Sequence, residues 1–110
     1  MSGIDYDGRA FRSAGADPDG DSPIGRYHQR GDLVWAEFAG GAVREGRLVG
    51  TCDADGVLEV AYCQVLADGQ VVAGRCTSLP TVGADGRVRL EEHWRRLDGG
   101  TGVSWIEEIG

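Results

Sequence analysis

Four Asp-Gly pairs punctuate the second half of the chain: Asp55-Gly56, Asp68-Gly69, Asp85-Gly86 and Asp98-Gly99, the last followed by Gly100. Each separates two runs in which polar and apolar residues alternate. Glycine closes such a loop because it takes the left-handed backbone conformation at no steric cost. Arg30-Gly31-Asp32 and Gly40-Gly41 punctuate the earlier part in the same way. Runs joined like this pair as antiparallel hairpins, so neighbours in sequence become neighbours in space. The expected strands are a short one over 8–12, then 24–30, 33–38, 42–52, 57–66, 70–78, 87–97 and 101–109. No stretch carries a helical period. The expected fold is all-β: an up-and-down antiparallel barrel of about eight strands.

The turns also predict a register. With Ala54-Asp55-Gly56 as a three-residue loop, Cys52 faces Leu58 and Leu48 faces Tyr62. With Ala67-Asp68-Gly69, Tyr62 faces Gly74 and Leu58 faces Ser78. With Ala84-Asp85-Gly86, Ser78 faces Glu92 and Cys76 faces Trp94. With Asp98-Gly99-Gly100 as the last loop, Trp94 faces Ser104 and Glu92 faces Ile106. Because side chains alternate along a strand, the even-numbered residues of five strands share one face. The odd face holds Arg47, Glu59, Arg75, Arg87, Arg89, Glu91, His93, Arg95 and Glu107, and belongs in solvent. The even face is the interior, with Val34, Ala36 and Phe38 added from an earlier strand.

That interior is half apolar and half hydrogen-bonding, which is more polar than a purely structural core. Glu92 stands between Leu90 and Trp94 on it, where an ionised carboxylate is costly unless partnered. Glu92, Trp94, Ser78, Cys76, Ser104, Tyr62 and Gln64 form the candidate ligand-binding set. One reading is a polar anchor in a cavity for a small amphipathic molecule. The other is a filled core in which hydroxyls, or Arg96 at a barrel end, satisfy the carboxylate. Cys76 as a nucleophile needs a nearby base. His93 points outward and His28 is unplaced, so no catalytic residue is assigned and an enzyme is the least favoured of the open function classes. No cofactor is implied. Cys52 and Cys76 stand two strands apart, too far to share a metal. The loop at Asp17, Asp19 and Asp21 is acidic but lacks EF-hand spacing.

On the outer face, Val49, Cys63, Val65 and Val71 fall on an apolar strip, a candidate surface for a homo-oligomer. The net charge of -7 opposes nucleic-acid and anionic-membrane partners. All the basic residues are arginine, which removes Schiff-base chemistry. Residues 1–8 read as a flexible tail ahead of a single domain over 9–110. The start lacks the apolar core of a signal peptide, and three scattered cysteines suit a reducing cytoplasm.

Val34-Trp35-Ala36, Gly40-Gly41 and Gly46-Arg47-Leu48-Val49-Gly50, with Gly74-Arg75-Cys76-Thr77-Ser78, Leu90-Glu91-Glu92-His93-Trp94 and Gly102-Val103-Ser104-Trp105-Ile106-Glu107-Glu108-Ile109, resemble a family of small uncharacterised bacterial proteins with an avidin-like barrel. The resemblance spans roughly residues 8–110 and implies the barrel. Some members carry the label N-acetylglutamate synthase. Acyl transfer of that kind uses a helix N-terminus to cradle coenzyme A, and this chain has no candidate helix, so it is the least supported function. Biotin binding does not carry over from true avidins: the chain has no asparagine, and only Trp94 among its tryptophans points inward.

Overall fold

The computed structural model describes residues 4–16 and 20–109. Eight strands follow in chain order: β1 (Ala10–Ser13), β2 (Ile24–Arg30), β3 (Leu33–Gly40), β4 (Val43–Cys52), β5 (Leu58–Leu66), β6 (Val71–Val82), β7 (Val88–Arg96) and β8 (Thr101–Glu108). Each pairs antiparallel with the next, and β1 pairs with β8, so the sheet closes into a barrel. No helix occurs among the described residues.

Each Asp-Gly turn is a three-residue loop with glycine at its end. Asp53 N donates to Val57 O, Leu66 N to Gln70 O, Gly83 N to Arg87 O, and Arg96 N to Gly100 O. Gly56, Gly69, Gly86 and Gly99 all have positive φ. In three of the loops the aspartate carboxylate also accepts from the amide two residues on: Asp68 from Gln70, Asp85 from Arg87 and Asp98 from Gly100. The side chain thus fixes the loop that its own sequence signals.

The register is as expected across β4, β5, β6 and β7: Cys52 faces Leu58, Leu58 faces Ser78, and Ser78 faces Glu92. The expected pairing of β7 with β8 is corrected. Glu92 faces Ser104 and Trp94 faces Gly102, not Ile106 and Ser104. The loop is Leu97-Asp98-Gly99, which obeys the same rule as the other three, and Gly100 already belongs to the pairing. The slip is two residues, so the inward face is unchanged. The sixth strand is longer than expected and reaches Val82.

The barrel interior divides into two halves. One end is filled: Phe11, Val34, Leu58, Val88 and Leu90 are at most 1% exposed. Each contributes about 1.5–3 kcal/mol by leaving water. This end is also where the expected flexible tail is corrected for residues 4–8. Tyr6 is fully buried, packs against Phe11 and Tyr27, and donates its hydroxyl to Gly56 O at 2.6 Å. Its backbone amide donates to Gln29 Oε1. An aromatic ring with a satisfied hydroxyl thus plugs the barrel end. Asp17 and Asp19 of the acidic loop lie outside the described residues.

Candidate functional site

The other half of the barrel is hollow. A cavity of about 330 Å³ is lined by Tyr27, Val60, Cys76 and Glu92 toward the filled core. Phe38, Tyr62, Gln64, Trp94 and Arg96 continue its wall outward, and Ser13, Pro23 and Val43 stand beside the turns at the open end. The volume lies within the usual range for small-molecule sites, roughly 300–1,000 Å³. The inward face of β7 shows the gradient on one strand: Val88 and Leu90 are buried, while Glu92, Trp94 and Arg96 are half-buried and face the cavity.

Six of the seven expected site residues line this space: Glu92, Trp94, Cys76, Ser104, Tyr62 and Gln64. Ser78 does not. It is 2% exposed and lies behind the wall, its hydroxyl 3.6 Å from Cys76 Sγ. Ser104 accepts a hydrogen bond from Trp94 Nε1 at 2.9 Å, which fixes the indole edge against β8. Gly102 makes room for that ring, because a Cβ there would strike it.

Glu92 makes no hydrogen bond or ion pair among the described residues. Burial alone pushes its carboxyl up to about 7, with no cation close enough to oppose the effect. The hydroxyl and arginine partners considered from sequence do not reach it. Its charge also raises two neighbours. The Cys76 thiol is pushed up to about 11, first by burial and then by Glu92, and the Tyr27 hydroxyl is raised for the same two reasons. Both stay neutral at physiological pH.

Cys76 has no imidazole to activate it. His28 lies on the outer face, stacked on Trp35 and 2.5 Å from Glu37 Oε1, and His93 pairs with Glu91 at 3.3 Å. Among the described residues no group of three or more His, Cys, Asp or Glu side chains is arranged to hold a metal ion.

Sequence reasoning missed several wall residues. Arg96 was weighed only as a partner for Glu92. Instead its guanidinium lies over the Trp94 ring, 5.4 Å from the centroid, and its charge opposes the rise that burial gives the Tyr62 hydroxyl. Alternation from Glu92 through Trp94 reaches Arg96 directly, so the signal was present. Arg12 also borders the cavity, with its Nε buried and without a hydrogen-bond partner. Phe11 and Pro23 flank it, and short β1 carries too little pattern to reveal that wall.

The outer strip is laid out as expected: Val49 pairs with Ala61, Cys63 with Ala73 and Val65 with Val71. Val49 is 54% and Val71 71% exposed, Cys63 is exposed, and Val65 is half-buried.

The family model described as avidin-like protein matches residues 4–109. The chain belongs to the avidin-like protein family. Searches of curated proteins and of solved structures each found no match. In this family member the inward tryptophan is Trp94, and the residue beneath it is a carboxylate.

Proposed function

We propose that this avidin-like barrel binds a small amphipathic molecule in its open half. The polar end of the occupant meets Glu92 on the cavity floor, and its apolar part lies on Trp94, Phe38 and Tyr27. The observation that carries this reading is the unpartnered Glu92 carboxyl facing a cavity of about 330 Å³. A core built only for stability leaves no hollow of that size with a carboxyl lacking a protein partner on its wall. The filled-core alternative describes the Tyr6 end alone. Acyl transfer has the least support, since neither histidine lies on the inner face. A screen of small amphipathic molecules by native mass spectrometry, repeated on Glu92→Gln, tests the proposal. Hits whose affinity falls by about 1–3 kcal/mol in the variant support it. A folded variant that retains full affinity for every hit refutes a role for Glu92.

Self-association is a second and compatible reading. It rests on the apolar strip of Val49, Cys63, Val65 and Val71 on an otherwise charged face.

A further inference from the structure

Two side chains of opposite charge on β7 line this one cavity without meeting, and Arg12 of β1 borders it as well. Glu92 and Arg96 stand on the same inward face of β7, separated by Trp94. Inward residues on a strand recur about every 6.7 Å, so their backbones are about 13 Å apart. Neither forms an ion pair among the described residues, and Arg96 does nothing to relieve the burial of Glu92. The Trp94 ring between them is held flat against the wall by Ser104 below and Arg96 above.

Resting on the small-molecule reading above, we infer that the occupant is a zwitterion with an apolar spacer, its ammonium group on Glu92 and its anionic group on Arg96. The walls discriminate at both ends. A dicarboxylate places like charge against Glu92, and a diamine places like charge against Arg96; each arrangement is repulsive. An ammonium group reaching Glu92 restores the charged carboxylate that burial disfavours, and the rings of Tyr27 and Trp94 offer it aromatic faces. At the mouth, the Arg96 guanidinium presents a planar fork of donors suited to a carboxylate. The spacer lies along Trp94 and Phe38. This assignment goes beyond an amphipathic ligand in general, because it specifies both charges and their order along the barrel axis.

Binding then depends on pH in a defined direction. Glu92 must ionise, so affinity rises as pH passes up through about 7. The other titratable groups facing it, Cys76 on β6 and Tyr27 on β2, are raised and remain neutral through that range, and Ser104 on β8 carries no charge.

The test uses three probes of similar length: ε-aminocaproate, hexanoate and hexylamine, with neutral hexanol as a fourth. Binding is followed by the Trp94 indole resonance in the full chain, its Glu92→Gln and Arg96→Gln variants, and at about pH 6 and pH 8. The zwitterion should bind about tenfold or more tightly than either singly charged probe. That advantage should be lost in each variant and should grow at the higher pH. Thermal melts establish that the variants are folded. Equal binding of hexanoate or hexylamine overturns the inference, as does an advantage that survives Glu92→Gln. If hexanol alone shifts the Trp94 signal, the zwitterion is wrong and the cavity reading stands. If no probe shifts it, both fall.

Discussion

Replacing Glu92 by glutamine should stabilise the empty barrel, and only above a certain pH. In the folded chain burial holds this carboxyl at about 7, against an ordinary value of 4.5. Between those two values the folded state binds the extra proton and the unfolded state does not. Stability therefore falls as pH rises from about 4.5 through about 7. At roughly 1.4 kcal/mol per pH unit the full difference corresponds to about 3 kcal/mol. Part of the Glu92 surface faces cavity water, which screens the charge, so about 2 kcal/mol is the working figure. Glutamine keeps the shape and carries no charge, so the variant escapes this cost. Paired melts at about pH 4 should coincide, and at about pH 8 the variant should melt on the order of 10 °C higher. A gap that does not change with pH would show that Glu92 is not desolvated. A variant less stable at pH 8 would show that the carboxylate is an anchor with a partner.

Other perturbations follow from the packing. Gly50→Ala would drive a methyl group into the backbone carbonyl of Glu59, and backbone cannot swing aside, so denaturant melts should show a loss of about 1–3 kcal/mol or more. Gly25→Ala meets only ordinary contacts, 3.5 Å from Tyr27 and 3.6 Å from Phe38, and should be nearly neutral in the same assay. Tyr6→Phe strands the Gly56 carbonyl at the plugged end and should cost about 1–3 kcal/mol, while leaving probe binding in the cavity unchanged. Val71→Glu should lower the sedimenting mass if the outer strip joins copies of the chain. An unchanged mass from an already monomeric parent rejects that role.

Much of this was legible because the turns are chemically explicit. Asp55, Asp68 and Asp85 each mark a loop whose length sets the pairing, and alternation then assigns every side chain on the flanking strands to a face. The last turn was misplaced because Gly99-Gly100 offers two glycines, and only the first takes the left-handed conformation. The first strand was harder. Four residues, Ala10–Ser13, hold too little alternation to reveal a face. Tyr6 was hidden for a different reason. It lies outside any strand, and its burial comes from partners far along the chain, Gly56 and Gln29. Within the site, residue types and facing were readable, but the division into a filled and a hollow half was not. That depends on how side-chain volumes add up across eight strands, which no single strand's pattern records.

The short β1 also has a consequence for how the barrel forms and breathes. From β2 to β8 each strand pairs with the next across a short connection, and these can zip together one after another. The β1–β8 pairing instead brings together the two ends of nearly the whole chain, through three residue pairs, with a clasp between Arg9 and Glu108 at 2.7 Å. Its closure carries the largest loop entropy, and β1 is held by only three residue pairs on each side. It should therefore form last and open first, as a local excursion distinct from global unfolding. Amides of Phe11, Arg12 and Ser13 should exchange with solvent sooner than those in the middle of β5 and β6. Equal protection across the two regions would show instead that the barrel opens only as a whole. Because Phe11, Arg12 and Ser13 are also cavity wall, an opening seam is a side door, and an occupant too bulky for the mouth has a second way in.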